Sequence, residues 1–281
     1  VSKDEEKLTI QRILVALDAS PHSLAALETA AELAARFNAE LVGLFVEDVN
    51  LLRLGELPFT QEVGLFSATR RQVDVREVER QLRAQARQVR RTFMVTVQQT
   101  EVRGTFRVAR GAITAELLAA AADADMIILG KSGWSPVRRR LGSTARAVVF
   151  QAPSLTLVLQ DGTCLKTPIV VIYGDSPLAR KALAVAARLV ENEEGGPLTV
   201  VILAEEAREA QQLQAQAARQ LEPRGLRTHF VVMPASRVTQ LRRLIQGDCG
   251  TLILPADSSL LRDEAVTVLL DEIEVPLLLV R

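Results

Sequence analysis

Cysteine is scarce: Cys164 and Cys249 are the only two, and neither stands in a C-x-x-C pair or a Cys/His cluster. That argues against a disulfide scaffold and a zinc framework, and it suits a reducing compartment, so a cytoplasmic location is expected. Also missing is any apolar run near the ~20 residues that cross a bilayer. The polar opening Ser2-Lys3-Asp4-Glu5-Glu6-Lys7 lacks the apolar core of a signal peptide, and no membrane partner is expected. There is no excess of one charge, since 34 Lys and Arg offset 34 Asp and Glu. No overall field then draws the chain to nucleic acid, which is disfavoured as a partner. Catalytic machinery is absent too: no nucleophile with a base, no metal cluster and no acid and base pair shows recognisable spacing. His22 and His229 have no partner that the sequence identifies. No catalytic residue and no metal ligand set is assigned, and the chain is not expected to be an enzyme beyond slow ATP hydrolysis.

What is present is a chain of 281 residues with 48% hydrophobic and 24% charged residues, enough for one large domain or two ordinary ones. Short β-branched runs alternate with longer helical patterns: Ile13–Leu17, Ser23–Phe37, Leu41–Val46, then Thr105–Ala109, Thr114–Ala122, Met126–Leu129, Ser143–Phe150 and Leu155–Leu159. Near-continuous apolar strands separated by helices predict an α/β fold with a parallel sheet covered on both faces.

The two halves repeat one another. ILVALDASPHSLAALETAAELA from Ile13 overlays IVVIYGDSPLARKALAVAARLV from Ile169, with Ser-Pro at the same offset. DMIILGKSG matches GTLILPADS, and QAPSLTLVL matches EVPLLLVR. The pattern predicts an internal duplication with a domain over 1–160, a polar linker over 161–167 and a second domain over 168–281. Leu51 to Arg71, with Gly55, Pro58 and Gly64, reads as an irregular insertion. The segment after it places Val75, Val78, Leu82, Ala86, Val89 and Phe93 on one helical stripe. Arg76, Arg80, Arg83, Arg87 and Arg90 form a second stripe within an arc of about 80° at ~100° per residue. That stripe is either a solvated flank or a surface for an anion or a partner.

The stretch GKSGWSPVRRRLGST, Gly130 to Thr144, argues for a ligand. Gly130 follows a predicted strand, where ligands of open parallel sheets settle. Gly130 and Gly133 leave room for backbone N–H groups to approach an anion. Gly142, Ser143 and Thr144 then offer free N–H groups and two hydroxyls at a helix start, a place for phosphate. Arg138, Arg139 and Arg140 sit inside the loop, where at least one could reach a terminal phosphate while the others read as a solvated charge run. Trp134, the single tryptophan, either stacks on a base or packs at the domain edge.

The pattern G-x2-G-x8-G-S-T resembles the signature of the universal stress protein family, whose ATP-binding members carry G-x2-G-x9-G followed by Ser or Thr; the spacer here is one residue shorter. The resemblance extends to Asp18 with Ser20 and Ser23 behind it, to Leu44-Phe45-Val46-Glu47-Asp48, and to Met126 through Leu159. It implies two tandem Rossmann-like domains of the adenine-nucleotide alpha-hydrolase kind, each a mostly parallel five-stranded sheet with helices on both faces. It also implies a stress-response regulator that binds an adenine nucleotide, ATP with or without Mg2+, in its first domain. Asp18 would lie near the ribose or the metal-phosphate region, Val46 would line the adenine pocket, and Gly130, Gly133, Gly142, Ser143 and Thr144 would hold ribose and phosphates; the alternatives are a plain helix N-terminal carboxylate for Asp18, ordinary sheet packing for Val46 and a helix cap for Ser143 or Thr144. Domains of the family pair through their last strands, so Leu155–Leu159 and Pro276–Val280 are expected to meet, with a homodimer left open.

The second half lacks these features. Pro255 stands where the first half has Gly130, Ser258 where it has Gly133, and Gly174 where it has Asp18, with Asp175 one place later. Asp257, Asp263 and Glu264 put negative charge where phosphates would lie. One nucleotide per chain is therefore expected, the second half acting as folded partner. The alternative is a scaffold of the same fold that contacts an unknown regulatory protein through Leu51 to Arg91 and binds no nucleotide.

Overall fold

A computed structural model describes residues 9–56, 61–63, 70–72, 74–132, 141–160, 163–191, 196–234, 238–258 and 271–281. In the first half β1 (Arg12–Leu17), α1 (Pro21–Phe37), β2 (Glu40–Asp48), α2 (Val49–Glu56), β3 (Gln61–Val63), β4 (Arg70–Gln72), α3 (Val75–Thr100), β5 (Gly104–Gly111), α4 (Ile113–Ala121), β6 (Met126–Gly130), α5 (Ser143–Gln151) and β7 (Leu155–Leu159) follow one another. The second half contains β8 (Ile169–Tyr173), α6 (Pro177–Glu191), β9 (Leu198–Leu203), α7 (Ala207–Leu221), β10 (Thr228–Met233), α8 (Val238–Asp248), β11 (Thr251–Pro255) and β12 (Leu277–Val280).

Among the described residues ten strands form one sheet in the order β10-β9-β8-β11-β12-β7-β6-β1-β2-β5. Numbered along its own chain, each half has the strand order 3-2-1-4-5, the doubly wound arrangement. Within this ten-stranded sheet all described pairs inside a half are parallel, and β12 with β7, across the halves, is antiparallel. The halves therefore join where the family resemblance expects, with Leu278 opposite Leu157 and Leu277 opposite Val158. Joining the two apolar last strands leaves neither with an open edge.

Strand residues alternate between two apolar clusters, as a sheet covered on both faces requires. Ile13, Val15, Met126 and Ile128 face one way with residues of α1, α3, α6 and α7. Leu14, Ile127 and Leu129 face the other way with residues of α4, α5 and α8. The repeated Ser-Pro has a local cause. Ser20 Oγ accepts the N–H of Ser23 at 3.2 Å and Ser176 Oγ accepts that of Ala179 at 3.0 Å, while Pro21 and Pro177 open the helices where a missing N–H costs nothing.

The apolar stripe of α3 buries Leu82, Ala86, Val89 and Phe93, whereas Arg76, Arg80, Arg83, Arg87 and Arg90 are exposed. Arg80 pairs with Glu77, and Glu79 accepts Arg110 at 3.0 Å. The segment expected to be irregular contains regular elements: most of α2 lies in it, and β3 pairs antiparallel with β4. No described helix is long and apolar enough to cross a membrane.

Candidate functional site

The strand order turns at β1, which has β2 on one side and β6 on the other. The chain leaves β1 into α1 on one face and leaves β6 towards α5 on the opposite face. A crevice must open between these departures at the carboxyl ends of the strands. A cleft of about 440 Å³ lies there, within the usual size range of small-molecule sites. Its apolar lining comes from Ala16, Leu44, Val46, Ile113, Leu117 and Leu129, and its polar lining from Asp18, Ser20, Ser23, Lys131, Ser132, Ser143 and Thr144.

Asp18, Val46, Gly130, Gly142, Ser143 and Thr144, singled out from the sequence, all line this one cleft. Gly133, Trp134, Arg138, Arg139 and Arg140 lie outside the described residues. The turn after β1 is held tightly. Asp18 Oδ1 accepts the Ser20 N–H at 3.0 Å, the Asp18 N–H donates to Ser23 Oγ at 3.3 Å, and the Ser23 hydroxyl donates to the Ser20 carbonyl at 3.0 Å. Ala19 between them has φ of 64°, the left-handed region that a side chain disfavours by roughly 1–2 kcal/mol. Strain of this kind gathers at binding sites, where neighbouring bonds enforce it.

Gly142, rather than either hydroxyl residue, is the N-cap of α5, with φ −58° and ψ 154°. Ser143 and Thr144 thus occupy the first helical positions, and the N–H groups of this turn have no intrahelical acceptor. They give the end of the cleft a positive dipole. The Gly142 N–H donates to the Lys131 carbonyl at 2.9 Å, and the Lys131 N–H to the Leu159 carbonyl at 2.6 Å, so the two ends of the loop close onto the sheet.

The two glycines differ in what surrounds them. A Cβ on Gly130 would lie 2.9 Å from His22 Cβ and 3.2 Å from the His22 backbone carbon, so this glycine admits the start of α1 against β6. A Cβ on Gly142 would meet nothing nearer than the Lys131 carbonyl at 3.5 Å, an ordinary contact. Packing explains Gly130, whereas no close contact among the described residues surrounds the Gly142 position.

Three residues that the sequence did not single out belong here. Ser132 is 3% exposed, lines the cleft, and its hydroxyl has no hydrogen-bond partner among the described residues. A buried orphan of this kind calls for an explanation, and a ligand atom in the cleft would supply one. Lys131, 4% exposed, turns its ammonium to the carbonyls of Asp271, at 2.8 Å, and Ile273. Burial pushes its pKa below the ordinary lysine value, and the carboxylates of Asp271 and Glu274 oppose that shift. Asp271 also accepts the Leu141 N–H at 3.0 Å and Arg146 Nη2 at 3.1 Å. Lys131 and Ser132 stand inside the glycine loop, so their position was a signal. Asp271 carries none, being far away in the chain.

The contents of the site fit an anionic ligand with an apolar part: an apolar floor, a helix N-terminus and an unpartnered buried hydroxyl converge on one cleft. Among the described residues no group of three or more His, Cys, Asp or Glu could hold a metal ion.

Residues 9–160 match the family model described as Universal stress protein family. No curated protein sequence is significantly similar to the chain. Among solved structures, a universal stress protein from Archaeoglobus fulgidus DSM 4304 superposes over 97% of both chains with TM-score 0.72 and 18% identity. A putative universal stress protein from Pseudomonas aeruginosa UCBPP-PA14 covers 97% of this chain and 93% of its own with TM-score 0.57 and 15% identity. A functionally unknown protein from Pseudomonas aeruginosa PAO1 covers 97% and 92% with TM-score 0.57 and 14% identity. At these identities the superpositions speak for the fold alone, and the family match over more than half of the sequence settles the assignment. The chain belongs to the universal stress protein family.

Proposed function

We propose that the chain is a stress-response regulator that binds one adenine nucleotide, ATP, in the cleft of a first domain spanning 1–160, with 161–167 as linker and 168–281 as a second domain that takes no nucleotide. The observation that carries this reading is the convergence on one cleft of the α5 N-terminus, the buried unpartnered Ser132 hydroxyl and the half-buried Val46. Val46, Leu44 and Leu117 offer a base an apolar slot. Asp18 stands beside the position for ribose or for a magnesium ion on the phosphates, and Ser143 and Thr144 supply N–H and hydroxyl donors to phosphate. Gly133 and one of Arg138, Arg139 and Arg140 complete the cradle in this reading. In this reading the nucleotide serves as a signal, with slow hydrolysis at most.

The second half supports a single site. Pro255, in the position of Gly130, has no N–H to offer. Regulation through a protein partner in the cytoplasm follows from the same reading. The test is to denature freshly purified chain and identify what it releases by mass spectrometry. Adenine nucleotide near one equivalent per chain is the expected result. A chain that carries none and takes up none from excess ATP would leave the scaffold reading, with the surface from Leu51 to Arg91 as its contact.

A further inference from the structure

The phosphate end of the cleft is built on α5, and α5 is held at both ends by the second half. At its start the Asp271 carboxylate accepts the Leu141 N–H and the Arg146 guanidinium, and the Lys131 ammonium donates to the carbonyls of Asp271 and Ile273. At its finish the Arg281 guanidinium donates to the Val149 carbonyl, one of the last-turn carbonyls that a helix leaves unpaired. Between these ends Leu141, Ala145, Val148 and Val149 share an apolar cluster with Ile273, Leu277 and Leu279. Ser132 and Leu141 are the described residues on either side of 133–140, and Leu141 and Lys131, the neighbour of Ser132, are both bonded to the second half.

We infer that Asp271 is a positioning residue for the nucleotide: the second half sets the phosphate-binding end of a cleft whose described lining lies in the first half. This rests on the nucleotide reading above. The physical argument is preorganisation. Donors at a helix start help a phosphate only if the helix end stays where the phosphate arrives, and a partly buried carboxylate bonded to a backbone N–H and an arginine fixes that end before the ligand binds. Lys131 and Arg146 offset the Asp271 charge, so the brace does not expel an anion. The base slot at Leu44 and Val46 belongs to β2, which has no part in the brace. Loss of the brace should therefore separate the two ends of the ligand.

The experiment compares the full-length chain with Asp271→Ala and Asp271→Asn, titrating each with ATP and with adenosine by competition. Asp271→Ala should weaken ATP by about tenfold or more, the scale of one charge-assisted hydrogen bond, and leave adenosine within about twofold. Asp271→Asn keeps an acceptor for the Leu141 N–H and should fall between, and it carries the test if the alanine variant does not fold. Equal weakening of ATP and adenosine would overturn the inference in favour of a merely structural contact. Unchanged or tighter ATP binding would overturn it too, the latter marking Asp271 as a repelling charge. No ATP binding by the unsubstituted chain would instead remove the nucleotide reading itself, and the inference with it.

Discussion

Gly142→Val should bind ATP at least ~100-fold more weakly than the unsubstituted chain while unfolding at nearly the same temperature, a loss of about 2.7 kcal/mol of binding free energy. The backbone at Gly142, φ −58° and ψ 154°, is open to a β-branched residue, and the nearest atom to a new Cβ is 3.5 Å away. The added methyl groups act on the ligand side, where a phosphate must come close to the N–H groups of Ser143 and Thr144. The check is calorimetric titration together with a melting curve. Undiminished ATP affinity in a folded Gly142→Val chain would refute the assignment of this helix end. Gly130→Val cannot serve instead, since its side chain would run into the His22 backbone and report on packing.

The second large effect is on stability. Leu278→Asp should destabilise the chain by about 3 kcal/mol or more, because it buries a carboxylate with no partner in the seam between the halves. Leu278 is 1% exposed and lies opposite Leu157, which is fully buried. The natural control is Val108→Asp on the outermost strand β5, where Val108 is 51% exposed and the change should stay within about 0.5 kcal/mol. Urea unfolding followed by circular dichroism compares the two. Equal midpoints would mean that the β7–β12 pairing adds nothing to the fold.

The central strands were legible because runs such as Met126–Leu129 and Ile169–Tyr173 are apolar throughout, and only a sheet covered on both faces buries every residue of such a run. Ser20-Pro21 and Ser176-Pro177 marked helix starts through a cap that needs no distant residue. The stretch from Leu51 to Arg71 was not legible as structure. Its helix is short, and the paired strands Gln61–Val63 and Arg70–Gln72 have three residues each with almost no apolar alternation to betray them. The pairing of β7 with β12 left no local signal either, and only the family resemblance pointed to it.

At the site, Asp18, Gly142, Ser143 and Thr144 were readable as a turn after a strand and a helix start. The reason for Gly130 was not, because His22 reaches it only once α1 has folded back along β6. Asp271 was invisible for the same reason on a longer scale: the antiparallel seam carries it to Lys131, 140 residues earlier in the chain. Periodicity and motif spacing report on neighbours in sequence, whereas these contacts are products of topology.

Calorimetric titration of the full-length chain with ATP bears most directly on the account, since it asks at once whether the cleft holds nucleotide and whether its counterpart does. About one site per 281-residue chain is predicted, because the first half brings Ser132, Ser143 and Thr144 together while the second puts Pro255 in place of Gly130. A titration without heat, or one that ends at two equivalent sites, would contradict it.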